Sequence, residues 1–183
     1  IGTIKMINSS IEAQKAKIKD PQISKLFEMI SETTEEAFNL LENLLRWTRN
    51  QNGKTKIYAT LFNLTPVARQ VVSLFSAIAN AKEIELINRI EGKFDIFADE
   101  DMIKTVLRNL ISNAIKFTYT GGQVELSLAD SGDYWTIYVK DNGKGIPKDL
   151  QAHLLKSDEY ITTYGTHNEK GSGLGLILCR DFI

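Results

Sequence analysis

Over the first fifty positions, apolar residues recur at helical spacing. Ile4, Ile7, Ile11, Gln14 and Ile18 fall three and four apart. After Asp20-Pro21 the stripe resumes with Ile23, Leu26/Phe27, Ile30, Thr33, Ala37, Leu40/Leu41, Leu44 and Trp47/Thr48. That repeat predicts two helices that pack on other helices. Pro21 ends the first and suits the first turn of the second. Together they make an αα-hairpin over residues 1–50. A lone hairpin leaves much of its stripe in water. A homodimer through residues 1–50, forming a four-helix bundle, covers it. Packing on the rest of the same chain is the alternative. The polar run Asn50-Gln51-Asn52-Gly53-Lys54-Thr55-Lys56 breaks the repeat, and residues 51–56 read as a linker.

Beyond the linker, residues 57–183 alternate between strand and helix periods. A strand is expected over 57–64. Thr65 as N-cap, with Pro66 in the first helical position, predicts a helix over 66–80. Residues 84–90 and 94–98 read as a strand pair around Glu91-Gly92-Lys93. Asp99 caps a long helix to about 117. Strands over 123–130 and 134–140 form a hairpin around Ser131-Gly132-Asp133. A short helical turn follows Pro147, and a last helix starts near Gly173. Between them, 155–172 is polar and aperiodic.

Composition narrows the class. Of 183 residues, 43% are hydrophobic and 25% charged, which excludes a wholly disordered chain. Twenty-two basic and 23 acidic residues leave a net charge of −1. Nothing electrostatic then points to nucleic acid or an acidic membrane as partner. Cys179 is the sole cysteine, too few for a disulfide or a structural zinc site. No apolar run reaches membrane-spanning length, so this chain is expected to make no direct membrane contact. The start at Ile1 and the uncapped end at Ile183 read as those of a fragment.

Three clusters carry candidate chemistry. Asn109, Asn113 and Lys116, at i, i+4 and i+7, share one helix face. Asparagine is a weak helix former. Two stacked a turn apart suit a ligand surface, an amide oxygen for a hard cation and a lysine for phosphate. A plain exposed face is the alternative. Next comes Asp141-Asn142-Gly143-Lys144-Gly145-Ile146-Pro147, directly after a strand. A carboxylate accepts only, so Asp141 suits an exocyclic amine such as adenine's. Gly143 and Gly145 permit close backbone approach. A simple strand-to-helix turn would use the same residue types. The third is Lys170-Gly171-Ser172-Gly173-Leu174-Gly175-Leu176, a glycine-rich loop opening onto an apolar helix, which suits an anion. Its spacing is neither that of a Walker A loop nor that of a dinucleotide fingerprint.

In order and spacing, N-L-x-x-N-A-x-K-F-T, D-N-G-x-G-I and G-S-G-L-G-L resemble the N, G1 and G2 boxes of the ATP-binding domain of sensor histidine kinases. That domain belongs to the group shared with DNA gyrase, Hsp90 and MutL. The resemblance covers 57–183 as a catalytic ATP-binding domain, C-terminally cut short. More weakly, it covers 1–50 as an N-terminally cut dimerisation and histidine-phosphotransfer hairpin. The fold it implies is α+β: a helical hairpin, then an α/β sandwich with a mixed sheet covered on one face by helices. The cofactors it implies are ATP and Mg²⁺. Asn113 would hold the metal, and Asn109 and Lys116 would face the phosphates. Phe117 would pack near the nucleotide. Asp141, Gly143, Gly145 and Ile146 would frame adenine. Lys170, Gly171, Ser172, Gly173, Leu174 and Gly175 would form the phosphate loop. Residues 155–170 would be a mobile lid with Tyr160 and Tyr164 as packing residues.

The implied activity is transfer of the γ-phosphoryl group of Mg-ATP to a histidine, then relay to an aspartate of a response regulator receiver domain. A related ATPase or a non-catalytic nucleotide-binding module is the alternative. Hydrolysing members carry a Glu four residues before the metal-binding Asn. Here that position is Asn109, which is no base, and this favours transfer. Neither His153 nor His167 fits the phosphoacceptor pattern, so that histidine is expected upstream of Ile1. A cytoplasmic location is implied, and anchoring of the parent in an inner membrane is left open.

Overall fold

The computed structural model describes residues 57–132, 134–151, 153–154, 163–169, 173 and 175–183, together with Ile23. The chain divides into two compact units, Ile1–Thr48 and Arg49–Ile183. The hairpin expected over 1–50 and the linker 51–56 lie outside the described residues. So do Tyr160, Lys170, Gly171, Ser172 and Leu174.

In the second unit, strand β1 (Thr60–Asn63) leads into helix α1 (Leu64–Ala81). Strands β2 (Glu85–Asn88) and β3 (Asp95–Ala98) precede helix α2 (Glu100–Phe117). The hairpin β4 (Gln123–Asp130) and β5 (Trp135–Asp141) follows. A single turn, α3 (Lys148–Gln151), and a last helix, α4 (Gly175–Phe182), complete the order. β2 pairs parallel with β4, and β4 antiparallel with β5, so the sheet is mixed. Val124 and Leu126 are fully buried and alternate with half-buried polar residues along β4. Leu126 lies opposite Val139 and Leu128 opposite Ile137, which aligns one apolar face. Val67, Ala68 and Val71 of α1 and Leu107, Ile111 and Ile115 of α2 join the same core as that face. Among the described residues no helix is long and apolar enough to cross a membrane.

Two local expectations need correction. The N-cap of α1 is Asn63, two residues before Thr65. Asn63 Oδ1 accepts from the backbone N–H of Thr65 and of Phe94, each at 3.1 Å. Thr65 is thereby freed to donate its hydroxyl to Gly92 O at 2.7 Å. Pro66 sits in the first turn, where a missing N–H costs nothing. The second correction follows from the first. β2 and β3 form as strands but do not pair with each other. Leu64 N–H donates to Phe94 O at 2.8 Å, which pins the chain after Gly92 to the start of α1 and gives β3 to β1 as an antiparallel partner. β2 is left for β4. Asp99 caps α2 as expected, its Oδ1 accepting from Asp101 N–H and Met102 N–H at 3.1 and 3.2 Å.

Because Asn63 Oδ1 satisfies two backbone donors, Asn63→Ala should lower stability by about 1–3 kcal/mol. Urea denaturation of the variant against wild type checks this.

Candidate functional site

The C-terminal turn of α2 sets the geometry. A helix leaves its last four carbonyls without partners inside the helix, here those of Ala114, Ile115, Lys116 and Phe117. Ala114 O is taken by Thr118, through N–H at 3.0 Å and Oγ1 at 2.7 Å. Ile115 O and Lys116 O each accept from Lys82 Nζ at 3.0 Å. Phe117 O accepts from Lys144 N–H at 3.1 Å. Thr166 adds its N–H to Lys116 O at 3.0 Å and its hydroxyl to Thr118 O at 2.7 Å. Three distant segments therefore meet on one turn: the end of α1, the loop after β5, and residues 163–169.

The loop after β5 approaches so closely that a side chain would not fit. A Cβ on Gly143 would overlap Phe117 O and lie 2.9 Å from Thr118 Cα. Gly143 is thus needed for contact with α2, a reason nearer home than the expected approach to a base. Gly145 adopts φ +66 and faces open space. Asp141, exposed at the end of β5, accepts from Gly143 N–H through Oδ1 at 2.9 Å. Among the described residues nothing claims its second oxygen. Ile146 is half exposed, its carbonyl held by Gln151 Nε2 at 2.9 Å.

On α2, Asn113 is half-buried, and among the described residues nothing claims its amide. Asn109 is more committed than expected. Its Nδ2 donates to Thr105 O at 3.0 Å. A Cβ on Gly175 would stand 2.8 Å from its Oδ1, so the first residue of α4 packs close to it. Phe117 is flanked by two ammonium groups, Lys116 Nζ at 5.2 Å and Lys144 Nζ at 4.9 Å from the ring centre. Two cations on one aromatic ring concentrate positive charge beside the face that carries Asn113.

The tail of the supposed lid is docked. Lys144 Nζ donates to Tyr164 O at 2.6 Å. The Tyr164 side chain is exposed, and the contact Tyr164 makes with Lys144 is through its backbone carbonyl. His167 Nε2 lies 3.0 Å from Thr120 Oγ1. Glu169 ties the loop together, accepting from Lys82 Nζ at 2.9 Å through Oε1 and from His167 N–H at 2.8 Å through Oε2. Burial alone raises the Glu169 carboxyl and is the largest single influence. The Lys82 hydrogen bond and charge, with the N–H groups of Glu169 and His167, together carry it below its ordinary value. Gly173, at φ +73, lies just before α4.

Sequence reasoning missed Lys82, Lys144, Thr166 and Glu169. A lysine directly after an amphipathic helix reads as a solvated end, and a Glu in an aperiodic polar run reads as surface. Thr166, in a run of Thr and Gly, and Lys144, between two glycines, carried turn signals but no role.

Residues 98–183 match the family model described as histidine kinase-, DNA gyrase B- and HSP90-like ATPase. The solved catalytic domain of histidine kinase ThkA superposes with TM-score 0.59 at 30% identity, covering 68% of this chain and 79% of that one. The chain belongs to the histidine kinases. Circadian input-output histidine kinase CikA of Synechococcus elongatus is 31% identical over 84% of the chain. Adaptive-response sensory kinase SasA of Crocosphaera subtropica is 29% identical over 79%. The chain spans 38% of that SasA and 21% of CikA. A second ThkA structure, in complex with response regulator TrrA, shares the fold over 98% of the chain and 50% of its own length, with TM-score 0.67 at 24% identity.

Two outcomes test this geometry. Gly143→Ala should cost about 1–3 kcal/mol or more by overpacking. Gly121→Ala, at φ +76 with nothing within 4 Å, should cost only the smaller left-handed penalty; equal losses in urea would contradict the close approach. The second concerns acid. Glu169 has a folded pKa below its unfolded value of 4.5. Its contribution is therefore complete above 4.5 and lost as pH falls through the folded value. The stability gap between wild type and Glu169→Gln should hold from about pH 7 down to the ordinary carboxylate range and close only below it; urea titrations across that range check this.

Proposed function

We propose that this chain is the kinase core of a two-component sensor. It binds Mg-ATP and passes the γ-phosphoryl group to a histidine nitrogen of a dimerisation helix, with ADP as leaving product. The observation that carries the reading is the α2 face, where a half-buried amide stands one turn from a ring that two ammonium groups approach. Those groups fit a nucleotide. Asn113 would offer its amide oxygen to Mg²⁺, the ion supplying charge neutralisation on the phosphates. Lys116 would steady phosphate oxygens, with Phe117 packed near the nucleotide. The open oxygen of Asp141 would accept the adenine amine, and Gly145 and Ile146 would border the base. The glycine-rich stretch Lys170–Gly175 would wrap the phosphates.

Transfer is favoured over hydrolysis by Asn109. It occupies the position where a hydrolysing relative carries its base, and its amide nitrogen donates to Thr105 O. The receiver domain of a response regulator is the proposed next acceptor. ThkA, whose catalytic domain this chain resembles, was solved with such a partner. Residues 1–50 are proposed to form the homodimer through their apolar stripe, and a cytoplasmic location goes with that assembly.

Titration of the chain with Mg²⁺ and ATP should give saturable binding, and no binding would overturn the reading. Asn113→Asp should lower phosphoryl transfer to a histidine-bearing dimerisation domain by about 10²-fold or more while thermal stability is kept. Unchanged transfer would remove Asn113 from the metal site.

A further inference from the structure

Lys82 has no place in the three sequence boxes, yet every donor of its side chain is used. It is the C-cap of α1 and only 6% exposed. An ammonium has three N–H donors, and all three are engaged: Ile115 O at 3.0 Å, Lys116 O at 3.0 Å and Glu169 Oε1 at 2.9 Å. Removing a lysine from water is costly unless charge and hydrogen bonds compensate. Here they come from the negative end of α2 and from one carboxylate.

We infer that Lys82 is a positioning residue for nucleotide binding, holding the segment before the glycine-rich loop in register with Lys116. The inference rests on the proposed function of that loop. Two ends of the site converge on the ammonium. One is the last turn of α2, whose carbonyls at 115 and 116 it holds while the Lys116 side chain projects beside Phe117. The other is Glu169, the residue before Lys170 and Gly171. Glu169 in turn shapes residues 165–169. Gly165 N–H donates to Glu169 O at 2.8 Å, and Asn168 N–H to Gly165 O at 3.2 Å. Asn168 is held at φ +67, a left-handed conformation that Asn tolerates. A Cβ on Gly165 would overlap the Glu169 carboxylate and lie 2.7 Å from Lys116 Cγ. Glu169 and Lys116 are thus packed against the same backbone point. Displacing the carboxylate moves the entry of the glycine-rich loop relative to the lysine proposed to meet phosphate. Lys82 itself is buried with all three donors taken, so it acts through Glu169 and the last turn of α2.

The test measures affinity for Mg-ATP and thermal stability in parallel on the 183-residue chain. Lys82→Met removes the charge at similar length, and Glu169→Gln keeps the shape of the carboxylate. Asn63→Ala, in the cap of α1, serves as a destabilised control outside the site. Each of the two site variants is expected to weaken Mg-ATP binding about tenfold, on the scale at which small misplacements are felt. The control should lose stability with unchanged affinity. The effects of Lys82→Met and Glu169→Gln should be strongly non-additive in the double variant. If Lys82→Met does not fold, Glu169→Gln alone decides. Wild-type affinity in Glu169→Gln, or additive losses in the double variant, would overturn the positioning role. Absence of Mg-ATP binding by wild type would instead bring down the functional reading beneath it.

Discussion

The exposed carbonyl end of α2 is the constraint on which the rest of the second unit depends. Four acceptors at the end of a helix packed on the core must be met, at about 1–3 kcal/mol for each left unpaired away from water. The protein meets them with donors brought from elsewhere in the chain. Thr118 closes the turn locally, Lys82 arrives from α1, Lys144 from the loop after β5, and Thr166 from the segment before the glycine-rich loop. Satisfying one helix end therefore gathers the three segments that the candidate site needs. The same bonds that finish the helix set the register of the site.

This explains why glycine is required where it is. Gly143 and Gly165 both lie where a neighbouring segment presses on the α2 turn, one against Phe117 backbone and the other between Glu169 and Lys116. Their smallness serves close packing of chain on chain. Gly145 and Gly173 are different, at φ +66 and +73, where glycine's freedom to turn left-handed matters. A motif that looks like one glycine-rich signature thus contains two physical demands.

Local signals carried the elements well. The Asp99 cap, the 3.6-residue period through Phe117 and the alternation across Gln123–Asp141 place α2 and the β4–β5 hairpin nearly at their observed limits. Pairing was less legible. Residues 84–90 and 94–98 read as a hairpin because only Glu91-Gly92-Lys93 separates them, but Asn63 takes the N–H of Phe94 and delivers β3 to β1. That choice depends on a side chain thirty-one positions away, which no local pattern reports. The candidate site divides the same way. Asn113 and Asp141 stand out because their residue types are unusual for their element, and Lys116 because it shares the face of Asn109 and Asn113. Lys82 and Glu169 are ordinary charges in ordinary places until topology brings them together.

The buried lysine also bears on how binding and stability divide in this unit. A hydrophobic residue in its place would avoid the desolvation cost and could still cap α1, but it would leave two carbonyls and a carboxylate unanswered. Conversely, the Thr118 cap alone would finish one acceptor of α2 and leave the last turn free to fray, carrying Lys116 and Phe117 with it. Anchoring that turn from α1 makes the position of Lys116 a property of the folded core. The Lys82–Glu169 pair ties the residue before the glycine-rich stretch to that turn, so the same three bonds serve stability and position together.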